Sequence, residues 1–295
     1  MRTCVIFNPT ANGQKAARLR AQLEVITQHA VLKPTTAAGD ARRLAAQAIA
    51  EGCDTVIAAG GDGTINEVLN GIGDAQAFDR VRLGVLPLGT VNVFARELKI
   101  PVPPAKAWQL ILRGRYTRID LGWAEFSAAA KPRRQYFMQL AGAGVDARAI
   151  ELVNWSHKKK IGPLAYVVAG LKALRERRPQ LTVVTNQGRV TGELVLIGNG
   201  KFYGGRYRIF PKADLRDGQL EVGVFPRVNW LSLPRCGGML LACGRLPEGA
   251  VMRLRGAEVA ITGEPGAGLE LDGEWVGTLP ARLGVEQGRL RVIVP

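Results

Sequence analysis

Five residues constrain this chain more than any others. Gly60-Gly61-Asp62-Gly63-Thr64 follows at once on the uninterrupted apolar run 55–59 and leads at once into the helically spaced stretch 64–70. A short apolar run closed by glycine reads as a buried strand, and the amphipathic stretch behind it reads as a helix. Glycines between the two let the backbone adopt dihedrals closed to other residues and approach a phosphate, whose charge the N–H groups of the next turn stabilise. A plainer account is also open, because Thr64 and Glu67 have the spacing of a capping box that simply starts a helix.

Strand and helix alternate on both sides of that loop. Residues 4–7 read as a buried strand, 14–26 as a helix with Ala16, Leu19, Leu23 and Ile26 on one face, and Asp40 as the cap of a helix over 41–50. Beyond the loop come a strand at 82–86, a short helix at 92–96, a helix at 104–112 bounded by Gly114, and a strand near 117–121. This is the grammar of a mostly parallel sheet covered by helices, whose ligands bind beyond the carboxyl ends of the strands. After the polar, basic segment 127–135 the pattern changes. One long helix over 163–177 stands among strand signals at 137–140, 181–184, 189–197, 219–224, 251–261, 269–271 and 289–294. A joint near 122–134 divides the chain into an α/β domain, 1–128, and a β-rich domain, 129–295, whose final segment is free to pack back on the first.

Two more loops stand where strands end. Pro87-Leu88-Gly89-Thr90-Val91-Asn92 offers Thr90 or Asn92 to a phosphate or ribose, or Thr90 as a helix cap. Asn8-Pro9-Thr10-Ala11-Asn12-Gly13 offers Asn8 and Asn12 to a nucleotide, although both dipeptides are ordinary turn formers. The sequence has no GxxxxGK[ST], and no GxGxxG opens its first strand–helix unit. In the second half, Gly142-Ala143-Gly144-Val145-Asp146 gives Asp146 either an orienting role or a helix cap. Asn199-Gly200-Lys201-Phe202-Tyr203-Gly204-Gly205-Arg206 lines an acceptor or supports the core. Leu269-Glu270-Leu271-Asp272-Gly273-Glu274 sets Asp272 and Glu274 about a glycine, either as a hairpin turn or as a carboxylate pair with Glu274 the general base. Asp214-Leu215-Arg216-Asp217-Gly218-Gln219 is a turn or a hard-cation site.

Composition bounds the rest. With 47% hydrophobic and 22% charged residues over 295, the chain builds a sizeable core and is neither fibre nor disordered tail. Two His and four Cys without a CxxC pair argue against zinc. The N-terminus shows no leader pattern and no apolar stretch reaches about 18 residues, so the expectation is a reduced, cytoplasmic protein able to sit at the inner membrane face. A net charge of +15, spread from Arg18 to Arg235, calls for an anionic partner: nucleic acid, nucleotide or membrane.

In order along the chain, these segments resemble the diacylglycerol kinase catalytic family, which includes bacterial lipid kinases and sphingosine and ceramide kinases. The matching residues are Asn8-Pro9 with Gly13, Gly60 to Thr64 with Asn66-Glu67, Pro87 to Asn92 with Phe94-Ala95-Arg96, Gly142, Gly144 and Asp146-Ala147, then Gly162, Leu164 and Tyr166. They continue through Asn199 with Gly204-Gly205, Pro211 and Ala213 with Asp217-Gly218, and Asp272-Gly273-Glu274, so the likeness covers essentially the whole chain. Thr10-Ala11-Asn12-Gly13 departs mildly from the family's Ser-Gly arrangement.

The resemblance implies an NAD-kinase-like α/β domain that binds ATP, a β-sandwich-like second domain, an active site in the cleft between them, and a place in phospholipid metabolism. It makes Asn8, Thr10, Thr36, Gly61, Asp62, Gly63, Thr64, Glu67 and Thr90 nucleotide-side groups. Glu274 becomes the base, Asp272 its acidic neighbour, and Asp62 a partner of Mg²⁺-ATP or of the hydroxyl. A structural Mg²⁺ falls on Asp214, Asp217 and Gln219. The partners implied are a lipid alcohol such as diacylglycerol and, transiently, an anionic membrane, with no specific nucleic acid; a homodimer stays open. The apolar face of 163–177 either flanks a lipid cleft or is core. Two rival readings stand beside this one: an NAD kinase, which shares the GGDGT loop, and a non-catalytic nucleotide- or nucleic-acid-binding protein suggested by charge.

Overall fold

Apolar side chains at successive positions can all be buried only where both faces of a sheet are covered. Three runs meet that condition in a computed structural model that describes residues 2–9, 21, 23, 30–152, 172–176 and 178–295. They are β1 (Thr3–Phe7), β3 (Thr55–Gly60) and β4 (Arg82–Pro87), buried at all but one position. A fourth strand, β2 (Val31–Pro34), is short and half exposed, and no expectation covered it. Pairing is parallel throughout, with Cys4 beside Val31, Val5 beside Ile57, and Ile57 beside Gly84. The order β4–β3–β1–β2 makes β1 and β3 the strands at which the winding reverses.

The helices cover this sheet with the spacing their sequences dictate. In α1 (Asp40–Ala50) the buried face is Ala41, Leu44, Ala45, Ala48 and Ile49, and in α2 (Asp62–Asp74) it includes Ile65, Val68, Leu69 and Ile72. A five-residue helix, α3 (Val93–Glu97), follows β4. Next, α4 (Pro104–Arg113) starts on a proline and stops at Gly114 in the left-handed region, φ 66°. The expected helix over 14–26 lies almost wholly outside the described residues; of the one over 163–177 only 172–176 are described, with Ala173 and Leu174 buried.

β5 (Tyr116–Ala128) and β6 (Lys131–Phe137) form a hairpin through Ala129 and Ala130 at φ 48° and 60°. The polar segment 127–135 is therefore paired strand and tight turn rather than a linker. The strands that follow are β7 (Leu140–Gly144), β8 (Leu181–Thr185), β9 (Gly188–Gly192), β10 (Leu194–Gly198), β11 (Phe202–Tyr203), β12 (Tyr207–Arg208) and β13 (Leu220–Phe225). Then come β14 (Met252–Gly256), β15 (Glu258–Gly263), β16 (Gly268–Leu271) and the 20-residue β17 (Glu274–Ile293). Two helices join them, α5 (Val145–Leu152) after β7 and α6 (Ser232–Cys243), for which the sequence reading has no counterpart.

Contacts divide the chain into Met1–Leu121 with Gly204–Arg206 and Gln287–Pro295, and a second unit of Gly122–Tyr203 with Tyr207–Glu286. In the first, Arg291 and Val292 pair in parallel with Arg82 and Leu83, so the chain's end adds a strand beside β4. In the second, strands in the order β14–β13–β10–β7–β16–β17 and strands β5, β8 and β15 enclose a core that includes Phe126, Phe137, Val195, Ile197, Val222, Ile261 and Leu269. A second cluster, with Leu140, Leu174, Leu196, Ile209 and Phe210, packs on the other side of β10. The expected architecture, an α/β domain and a β-sandwich-like domain, is the one observed.

Candidate active site

The Gly60 loop lies at the carboxyl edge of β3, at the switch point of the first unit's sheet, where such folds bind ligands. Gly61 is extended (φ −89°, ψ −175°), α2 starts at Asp62, and no described side chain caps it. The first amide returned to the helix is that of Ile65, on the Gly61 carbonyl at 3.1 Å. The N–H groups of Gly63 and Thr64 thus precede the ladder and supply the positive end that binds an anion. The capping-box reading is corrected here. Gly61 holds the N-cap position, and the Glu67 carboxylate instead accepts from Gly39 N–H and Ala41 N–H, 2.9 Å each, at the start of α1. Glu67 acts by fixing one helix start from another.

The neighbouring loop after β4 is laced to this one. A Cβ on Gly89 would stand 2.5 Å from Gly61 Cα, so the two backbones meet because residue 89 is glycine. Asn92, in the left-handed region at φ 52°, closes its own loop: its Oδ1 accepts from Gly89 N–H at 2.9 Å and its Nδ2 donates to the Gly89 carbonyl at 2.8 Å. That amide is spent within the loop and is not held out to a ribose. Val93 N–H and Phe94 N–H donate, each at 3.1 Å, to the two oxygens of Asp62, which ties α2 to the start of α3. Burial pushes the Asp62 carboxyl up, against the pull of those N–H groups. Thr90 is exposed and caps nothing, since Asn92 holds the N-cap position of α3.

Thr36 is exposed, and its polar groups are taken up within its own loop. Its amide donates to Oδ2 of Asp40 at 2.8 Å, as its hydroxyl and the Ala37 amide also do. These donors, Thr36 above all, hold the Asp40 carboxyl well below the usual carboxylate range. Asp40 therefore ties the entering loop rather than capping α1, whose N-cap is Gly39. Asn8 closes β1, its amide on the Ala59 carbonyl at 3.3 Å, while Thr10 and Asn12 lie outside the described residues.

In the second unit, Asp272 and Gly273 turn the chain between β16 and β17 with φ 49° and 85°. The hairpin and the acid pair are one structure. Asp272 Oδ2 accepts from Met138 N–H at 2.8 Å, and Oδ1 from Gln139 and Leu140 N–H at 2.9 and 3.1 Å. This carboxylate is an anchor for the β6–β7 junction, which the sequence reads as a strand at 137–140. Glu274 opens β17 opposite Leu271, half buried. Sequence reasoning overlooked Glu270, fully buried between Leu269 and Leu271, whose Oε2 accepts from Gly273 N–H at 2.7 Å. An acid flanked by two core leucines is the signal that marks it. Asp146 is inside α5 and caps nothing; it accepts the Tyr203 hydroxyl at 2.6 Å.

The loop expected to hold Mg²⁺ does not fit a cation. One oxygen of Asp217 receives the Arg255 guanidinium and the other the Gln219 N–H at 3.0 Å, while the Asp214 carbonyl accepts from Asp217 N–H at 3.4 Å. The guanidinium supplies the positive charge there. Among the described residues no three His, Cys, Asp or Glu side chains converge on a metal position.

An open helix start at the switch point of a parallel sheet suits a phosphate group, and the class that the chain's relatives define is a phosphotransferase with an alcohol group as acceptor. Residues 2–124 match the diacylglycerol kinase catalytic domain, and residues 139–294 the YegS C-terminal NAD kinase beta sandwich-like domain. Over its whole length the chain is 30% identical to a diacylglycerol kinase of Bacillus subtilis (strain 168), covering 96% of it. It is 29% identical to a diacylglycerol kinase of Staphylococcus carnosus (strain TM300), covering 95%. The chain belongs to the diacylglycerol kinase family. In fold it is similar to a diacylglycerol kinase from Bacillus anthracis str. Sterne, with a TM-score of 0.76 at 23% identity, covering 100% of this chain and 97% of the other. It also shares the fold of yeast NADH kinase complexed with NADH, at TM-score 0.53 and 14% identity, covering 100% and 84%.

Proposed function

We propose that this protein transfers the γ-phosphoryl group of ATP to the hydroxyl of a lipid alcohol, diacylglycerol or one of similar polarity. The observation that carries the reading is the pair of glycine loops laced through Gly61, Gly89 and Asp62, which leave the start of α2 open to phosphate. The names of the full-length relatives point to the acceptor.

In this reading the amides of Gly63 and Thr64 hold the nucleotide's phosphates, and Asn8, Thr10 and Thr90 contact the remainder of the nucleotide. Mg²⁺ arrives with ATP as part of the donor and supplies positive charge to the phosphates. Glu274 takes the proton of the lipid hydroxyl as its oxygen bonds to the γ-phosphorus and the bond to the departing ADP oxygen breaks. Asp272 and Asp62 take no proton in this scheme, because their oxygens already accept backbone N–H groups; both are positioning residues. The acceptor reaches the protein from an anionic membrane surface, to which a charge of +15 is suited.

The test is purified protein with Mg²⁺-ATP and a panel of lipid alcohols in mixed micelles. A phosphorylated lipid that disappears with Glu274→Gln supports the proposal. No lipid product across the panel, with phosphorylation of NAD instead, overturns it.

A further inference from the structure

Glu270 lies on β16 opposite Gly142 of β7. No side chain can stand at Gly142, because an added Cβ would collide with Oδ2 of Asp146 and come within 2.7 Å of Oε1 of Glu270. Two carboxylates thus share the space above one glycine. Their outer oxygens are satisfied, Asp146 Oδ1 by the Tyr203 hydroxyl and Glu270 Oε2 by Gly273 N–H. The inner oxygens, Asp146 Oδ2 and Glu270 Oε1, are buried and receive no donor from elsewhere in the described residues. Two buried negative charges this close cannot both persist, and a proton between them removes the repulsion and satisfies both oxygens.

The surroundings decide which acid holds it. Burial, then the charges of Asp146 and Asp272, push the Glu270 carboxyl well above the usual range. Burial also raises Asp146, but the Tyr203 hydroxyl favours its charged form. The other charged residues of α5 are engaged elsewhere, Arg148 with Glu151 and Glu176, and β7 carries none. These directions favour a proton on Glu270, donated to Asp146.

We propose that Asp146 and Glu270 share a single proton, and that Glu270, kept in place by it, holds Gly273 and thereby sets the position of Glu274. The second half of this rests on the reading of Glu274 as the base. Glu270 is a positioning residue in this scheme. Loss of the proton drives the carboxylates apart, and Gly273 moves with Glu270.

The sign of the linkage is fixed by the raised folded-state value: stability from the pair is complete below the unfolded carboxylate range and is lost as pH rises through that raised value. Two measurements need no lipid. Infrared spectra of the wild type at neutral pH are expected to show the C=O stretch of a protonated carboxylic acid that is missing in Glu270→Gln, and the wild-type Tm is expected to fall on the alkaline side more steeply than that of Glu270→Gln. With lipid and ATP, Glu270→Leu is expected to lose roughly a hundredfold in kcat with the KM for ATP within about threefold, and Glu270→Gln, which still donates to Asp146 and accepts from Gly273, to recover about tenfold of it. Absence of the acid band, or equal pH slopes in wild type and Glu270→Gln, overturns the shared proton. Equal kcat in Glu270→Leu and wild type overturns the positioning role. Band and slope without any lipid phosphorylation uphold the proton and overturn the reading of Glu274.

Discussion

At Asp272 three backbone N–H groups converge on one carboxylate, and two residues later Glu274 stands half buried at the head of a strand. The two acids consequently differ in what their loss should do. Glu274→Gln keeps the size of the side chain and removes the proton acceptor, so kcat is expected to fall by roughly 10²–10⁴ with unfolding unchanged, as measured by steady-state kinetics beside a thermal melt. Asp272→Ala strands amides that the carboxylate satisfies, and should cost about 2–4 kcal/mol in chemical denaturation. Sequence alone presents these acids as an undivided pair, and the one sign that Glu270 joins them is its place between two core leucines. Backbone N–H partners 132 to 134 residues away mark Asp272 as structural, and nothing local records them.

Among the elements, the closest approach in the first unit is that of the loops after β3 and β4. Gly89→Ala would push a methyl group against Gly61, so the KM for ATP is expected to rise about tenfold or more, with the KM for lipid little changed. Titrating each substrate at saturation of the other distinguishes the two. Much of this region is legible in the sequence, since β1, β3 and β4 are apolar at successive positions and the loops carry glycine at the needed places. β2 escapes notice because Val31–Pro34 is short, half exposed and ends in proline. The β5–β6 hairpin escapes because two alanines, residues with no liking for positive φ, make its turn. Asn92 is legible as a polar loop residue but not as a clamp, because only the folded loop brings its amide back to Gly89.

For the molecule as a whole, the surplus of positive charge is unevenly available. Arg134 stacks 4.5 Å over the Trp123 ring while pairing with Glu125 and Glu286, and Arg253 and Arg255 pair with Glu221 and Asp217. These guanidinium groups are committed to the fold, and in the proposed reading the Lys and Arg residues outside such pairs provide the field toward an anionic membrane. Activity on vesicles with anionic lipid should therefore exceed that on neutral vesicles and fall as salt shortens the screening length, about 10 Å at 0.1 M and 3 Å at 1 M, which a vesicle-based assay at several ionic strengths would record. No described helix is long and apolar enough to cross a bilayer.

The strand that residues 287–295 add beside β4 bears on the order in which the protein is made. A ribosome delivers the glycine loops early, yet the edge of their sheet waits until all of the β-sandwich has emerged. A nascent chain halted before residue 287 is therefore expected to hold its Gly60 loop in a sheet lacking one border.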